Sequence, residues 1–421
     1  MEINVLFYLI LPITLYLTIN KKINYLFYFL IFSSFFTATS LINFNGTSFS
    51  FPFIIGVFFI IKNIVLLILK KFKLKIKLNK YLFLFYLFCF FSLFSPFYVE
   101  RDFYIIHQDN TYGIYNPDFI VILKHYIYIT YCICIYFFTI IYINNINDKK
   151  EEIENILKIL KFTVIILFFI CIYQFISYKL TLPFDEIFRM NPSSNSQPHG
   201  NFLRISGPNI EPSMFAITLI FLLNIFWFMK EKFLSFLLLI MGILSTSSSF
   251  VIGVLIILII TLLRKRKKEI KVLILLGIIV FIIFIILIGI YPEALKLFLE
   301  IIDKVQGKGV SGSDRSKSML EHFRIGIEHP FFGIGYGVAR SKDLLTTWLA
   351  NIGMIGVIFF ILSLIKNIKN NFITYGVISC FFIEFISVSE PYFLYLWIFL
   401  GILNSQKIIE NGEVKNDKTI Q

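Results

Sequence analysis

Long apolar runs alternate with short polar breaks along this chain. The runs predict helical spans at about 3–19, 24–43, 51–69, 80–99, 118–143, 159–178, 211–229, 233–247, 248–263, 271–291, 344–365, 372–388 and 391–405. Most are near the ~17–25 apolar residues needed to cross ~30 Å of hydrocarbon. Spans eight and nine meet in the cluster Ser245-Thr246-Ser247-Ser248-Ser249 with almost no loop between them. The expected fold is therefore all-α. It is a polytopic transmembrane helical bundle of about 12–13 spans, forming a single integral membrane domain over residues 1–421.

The polar breaks differ in length. Three are long, at about 100–117, 179–210 and 292–343, and loops beyond ~12–15 residues are usually functional or disordered. In the longest, Leu295, Leu299, Ile302 and Val305 have the spacing of an amphipathic surface helix over Pro292–Gln306. Gly307 to Ser311 then breaks the pattern. Ser313 or Asp314 is placed to cap a second helix that runs to Glu328 and ends at His329-Pro330. The stretch Phe331-Phe332-Gly333-Ile334-Gly335-Tyr336-Gly337 is too rich in glycine for a helix and predicts a tight turn at the membrane surface.

Composition agrees with a lipid-embedded chain: 57% of residues are hydrophobic and only 15% are charged, against about 25% charged in soluble domains. Most of the 39 Lys and Arg residues fall in one set of alternate loops, at 21–22, 70–80, 149–161, 230–232, 264–271 and 366–369, and in the tail. Positive loops stay in the cytoplasm, so the N-terminus is expected outside, the C-terminus inside, and all three long loops outside. The net charge of +13 reflects this bias and does not call for nucleic acid. The first apolar stretch, Val5–Ile19, lacks a basic leader and a cleavage site and is read as a retained helix. Cys89, Cys132, Cys134, Cys171 and Cys380 lie inside apolar spans and are expected to be packed thiols.

Candidate chemistry collects in the outer loops. Arg204-Ile205-Ser206-Gly207-Pro208-Asn209-Ile210-Glu211-Pro212 leads into a span, with proline near the first turn where a missing N–H costs nothing. The segment from Asp314-Arg315 to Arg340 supplies more arginines. An arginine pair beside a helix N-terminus suits a pyrophosphate, which takes planar paired donors and oriented N–H groups. The plainer alternative is lipid-headgroup binding or loop ion pairs. Arg324, flanked by Glu321 and Glu328 at helical spacing, suits such a pair, and it lies about 180° around an ideal helix from Arg315. Lys62 and Glu384 are charges within spans, and pairing or a shared polar cavity would relieve their cost. His199, His322 and His329 are scattered, and no metal-ligand spacing, nucleotide-binding loop or nucleophile elbow occurs.

Arg204-Ile205-Ser206-Gly207 before Glu211-Pro212, the Ser/Thr cluster at 245–249, Arg315, Glu328-His329-Pro330-Phe331-Phe332-Gly333-Ile334-Gly335-Tyr336-Gly337 and Leu349 to Gly356 follow one another in an order that resembles the O-antigen polymerase and ligase superfamily. The resemblance covers roughly residues 200–360. It implies a metal-independent glycosyltransferase of the bacterial cytoplasmic (inner) membrane that needs no cofactor. Its substrate would be an undecaprenyl-pyrophosphate-linked oligosaccharide, with membrane lipid and a chain-length regulator as further partners. Ligases of the superfamily carry His-Asn where this chain has Lys342-Asp343, which favours polymerase over ligase. Arginine–ten residues–glycine patterns described for polymerases fit Arg189 with Gly200 and Arg324 with Gly335. The resemblance thus implies Arg204, Glu211 and Arg315 as catalytic, and Arg189, Gly207, Arg324, Gly333, Gly335 and Arg340 as substrate-binding. Arg204 and Arg315 would hold the pyrophosphate, and Glu211 would accept the proton of the attacking hydroxyl. A polysaccharide flippase is the competing class, supported only by the charges at Lys62 and Glu384.

Overall fold

The computed structural model describes residues 2–263 and 310–405, apart from 21, 45–46, 75, 77, 100–102, 108–111, 191–197, 200–201 and 369–370. The expected span at 271–291 and surface helix at 292–306 lie outside the described residues. Helices dominate what is described: α1 Phe7–Asn20, α2 Ile23–Ser33, α3 Phe51–Ile68, α4 Lys80–Phe91, α5 Phe119–Asn144, α6 Lys149–Leu180, α7 Asp185–Phe188, α8 Pro212–Phe228, α9 Lys232–Leu244, α10 Ser248–Leu263, α11 Val310–Glu328, α12 Leu344–Lys366, α13 Phe372–Ser387 and α14 Leu394–Asn404. Five of them are long and apolar enough to cross a membrane: α3, α5, α6, α12, and α4 extended through a 3-10 turn to Phe97. The protein is thus a mostly helical bundle with membrane-compatible helices.

One expected span is corrected. The run at 24–43 is helical only to Ser33, because its continuation is rich in Ser and Thr. The Ser33 and Ser34 hydroxyls donate back to the Leu30 and Ile31 carbonyls at 2.9 and 2.6 Å, offering the backbone an alternative to the helix. Ser40–Phe44 then runs as strand β2 between β1 (Glu2–Ile3) and β3 (Thr47–Ser50), antiparallel to both.

Helix α8 is the axis of the bundle. All but one of its residues are buried, and it packs against α9, α10 and α13. A helix apolar on every side belongs at the centre of a bundle. Around it, α14 packs on α5, and α12 packs on α4, α11 and α13.

The decisive feature is a break in α12. Gly353 has φ 74° and ψ 170°, outside helical geometry. Around it the backbone carbonyls of Ala350 and Asn351 accept from the N–H groups of Ile334 and Gly335 at 2.8 and 3.3 Å, and the N–H of Ile355 donates to Pro330 at 3.2 Å. These bonds dock the glycine loop, which turns as expected, against α12. Helices α11 and α12 run side by side in the same direction: Ser318 meets Ser341, Gly326 touches Leu349, and Pro330 abuts Gly353. The chain then reverses and climbs back along α12. A Cβ at Gly333 would lie 2.3 Å from the Ala350 carbonyl, with φ at +61°. The side chain of Asn351 closes the return, accepting from the Ala339 N–H at 2.9 Å and donating to its carbonyl at 2.8 Å. Helix α11 also starts at Val310, ahead of the cap expected at Ser313 or Asp314.

The expected pairing of Lys62 with Glu384 is corrected too. Lys62 donates to the Thr18 carbonyl of α1. Its helix α3 packs on α1, α2 and α5, whereas α13, which carries Glu384, packs on α8, α10, α12 and α14. The five cysteines are unbridged and, Cys134 excepted, buried.

Gly333→Ala is expected to destabilise the detergent-extracted protein, since backbone strain alone costs ~1–3 kcal/mol and the new methyl meets a carbonyl. Gly356→Ala, in α12, meets only the flexible Ile352 side chain and serves as the control. Thermal unfolding should rank wild type and Gly356→Ala together, several degrees above Gly333→Ala. Equal midpoints would contradict this.

Candidate functional site

The returning strand of the glycine loop ends at Arg340, and several segments fix that residue. Ala339 bridges His107 in antiparallel fashion, and the Arg340 N–H donates to the Ile106 carbonyl at 2.8 Å. Its Nε reaches Ser389 Oγ at 3.2 Å, in the short loop between α13 and α14. The same loop carries Glu390, Pro391 and Tyr392, and Tyr392 reaches His125 Nδ1 of α5 at 3.1 Å. Arg340, Ser389, Glu390, Pro391, Tyr392 and His125 line a small cavity of about 20 Å³, together with Trp348, Asn351 and Tyr336.

Glu390 is the anionic member of this cavity. Withdrawal from solvent pushes its carboxyl above the ordinary value, the Arg340 guanidinium opposes that shift, and Glu211 adds to it. Glu211 is therefore within electrostatic reach of Glu390. It stands at the N-cap of α8 without bonding the helix N–H groups, and its Oε1 accepts from Ser213 Oγ. A carboxylate that caps no helix leaves an oxygen available for other chemistry.

Arg204, seven residues before Glu211, is held separately. Its Nε donates to Thr246 Oγ1 at 2.9 Å and its Nη2 to the Thr246 carbonyl at 3.3 Å, in the turn between α9 and α10. That turn is tight, with Thr246 at φ 46°. One helical turn on, Ser249 Oγ donates to Ser387 Oγ at 3.0 Å, two residues before the Ser389 that holds Arg340. Arg204 and Arg340 are thus held by the two ends of adjoining helices, the start of α10 and the end of α13.

The remaining sequence candidates fall into two groups. Arg189 is buried; it donates to the Ile210 carbonyl at 2.8 Å and to Asp185 Oδ1 at 3.3 Å, so it anchors the segment before Glu211. Gly207, at φ +52°, donates its N–H to Gln174 Oε1 at 2.9 Å and shapes the same turn. Gly333 and Gly335 build the α12 junction. Arg324 is 79% exposed, ion-paired with Glu328 at 2.7 Å and absent from the cavity lining. Arg315 is half-buried, one turn before Ser318, which touches Ser341 Oγ at 3.4 Å. Asp343 is buried and caps α12, accepting from Thr346 N–H at 2.8 Å and Ser341 Oγ at 3.2 Å. Burial raises its carboxyl despite those bonds.

Glu390 was missing from the sequence-derived set. A signal was present: Glu390-Pro391 repeats the Glu211-Pro212 step, a carboxylate before a proline at the entrance to an apolar helix. Among the described residues no three His, Cys, Asp or Glu side chains come together. The arrangement offers the Arg340 guanidinium for an anion and the Glu390 carboxylate for proton transfer. Compared with known proteins, the chain matches no family model, and no curated protein or solved structure shows significant similarity to it.

The raised Glu390 carboxyl has a thermodynamic consequence. The folded state holds that proton more tightly than the unfolded state, so its contribution to stability is greatest near pH 4.5 and below and is lost as pH rises through the folded-state value. Glu390→Gln is expected to lose less stability than wild type between pH 4.5 and 7. Parallel pH profiles of thermal unfolding would contradict the placement.

Proposed function

We propose that this protein is a polymerase of undecaprenyl-pyrophosphate-linked oligosaccharide repeat units, acting at the outer face of a bacterial cytoplasmic membrane to build O-antigen or capsular polysaccharide. In this reading the chain has 12–13 spans, with its N-terminus outside and its C-terminus in the cytoplasm. The cavity, the Arg204 turn and the long loops then share the outer face. The observation that carries the reading is the meeting of Arg340, Glu390 and Glu211 from three separate segments, with Arg204 seven residues before Glu211. The sequence pattern over residues 200–360 supports the same class.

The proposed mechanism uses these groups as follows. Arg340 and Arg204 bind the donor pyrophosphate and offset the charge that develops on it as the glycosidic bond breaks. Arg315, a turn above Ser318, adds positive charge at the rim. Glu211 or Glu390 accepts the proton of the attacking sugar hydroxyl, and a single displacement inverts the anomeric carbon. Glu390 meets the usual demand on a general base, since its raised carboxyl lies nearer to neutral pH. Arg189, Gly207, Gly333 and Gly335 act by shaping the walls.

Arg204→Ala and Arg340→Ala should each abolish chain extension while the protein remains in the membrane. In a host deleted for the chromosomal gene, the surface glycan should collapse from a ladder to single repeat units, with Arg324→Ala retaining the ladder. Normal ladders in both arginine variants would end the proposal. Full-length polymer trapped on its lipid carrier would favour a ligase, and repeat units trapped on the cytoplasmic side would favour a flippase.

A further inference from the structure

Glu384 occupies the last turn of α13, with no exposed surface and with neither carboxyl oxygen hydrogen-bonded. Among the described residues no cation interacts with it directly. The titratable groups that interact with it are Cys380 on its own helix, Tyr395 on α14 and Glu390 in the loop beyond α13. Arg340 and Glu211 reach it only by way of Glu390. The neighbouring hydroxyl of Tyr395 is also buried and unpartnered. From α8 the facing side chains are uncharged, and from α10 Ser249 is engaged by Ser387. An ionised carboxylate with no donor and no counter-ion has a prohibitive cost in such a place. A neutral carboxyl does not.

Six residues further on, Glu390 lies in the cavity beside a guanidinium. Two carboxyls that feel each other's charge, only one of them beside a cation, titrate as a pair. We propose that Glu384 holds a proton in the bundle interior and exchanges it with Glu390 in the cavity, so that the pair carries one negative charge between them. The exchange is balanced: the O–H bond at Glu384 breaks as an O–H bond forms at Glu390, and the negative charge moves the opposite way. The resting arrangement leaves the proton on Glu384 and the charge on Glu390 beside Arg340. This inference requires no glycan and stands apart from the polymerase reading.

Infrared difference spectroscopy on the full-length protein in nanodiscs tests it, following the protonated-carboxyl C=O band as pH is stepped through neutrality. Wild type should keep a band at pH 7, where ordinary carboxyls are ionised, and Glu384→Gln should lose it. In Glu390→Gln the band should persist, with its titration moved by about one pH unit or more. A band unchanged in Glu384→Gln would overturn the assignment. An unmoved titration in Glu390→Gln would overturn the exchange, and this variant carries the test if Glu384→Gln fails to fold. Loss of the wild-type band on adding sodium, with choline as control, would overturn it in favour of a cation site.

Discussion

The hydrogen bonds of a broken helix organise this structure. Backbone N–H and C=O groups freed within an apolar bundle need partners, because no water is there to supply them. At Gly353 the ladder of α12 opens, and Ala350, Asn351 and Ile355 find their partners in Ile334, Gly335 and Pro330. The partner segment must approach backbone to backbone, which only glycine allows at 333, where any Cβ would strike a carbonyl. Ser92 adds a fourth bond, donating to the Asn351 carbonyl at 2.7 Å, and Tyr115 secures the Ile334 carbonyl at 2.6 Å. The break is thus a socket, and the glycine loop is the part that fits it.

That socket determines where the chemistry is. The loop leaves it at Ala339, clamped by the Asn351 amide, so Arg340 is delivered at a fixed height beside Glu390. Arg204 is held by an unrelated device, the strained turn at Thr246. Glu211 is held by a third, the entry to the wholly buried helix α8. Three rigid supports for charged groups reduce the reorganisation needed when an anion enters, which is the physical basis of electrostatic catalysis. In the proposed mechanism most of the glycines and Arg189 act through shape and not through contact with a ligand.

Much of this was legible in the sequence. Apolar runs located α3, α5, α8, α10, α12 and α13 within a few residues, because an 18-residue apolar stretch has few alternatives to a helix. The glycine run was recognisable as non-helical, but its socket was not, since a break at Gly353 looks like any glycine in an apolar helix. The polar tract after Ser33 was overridden by its apolar neighbours, so a strand was read as part of a span. Lys62 and Glu384 were grouped because both are charged and interior, yet which helices adjoin is decided by tertiary packing. Glu390 lay at the edge of two predicted spans and escaped notice, although its Glu-Pro step matched the one already singled out at Glu211.

The central claim is that the cavity between the glycine loop and the α13–α14 loop binds a pyrophosphate through Arg340. Trp348 lines that cavity and is one of only three tryptophans, so its fluorescence reports occupancy once Trp227 and Trp397 are replaced by Phe. Purified protein in nanodiscs should respond saturably to a short-chain polyprenyl pyrophosphate. The response should vanish in Arg340→Ala and persist in Arg324→Ala. An equal response with and without Arg340, or none in the intact cavity, would contradict the account.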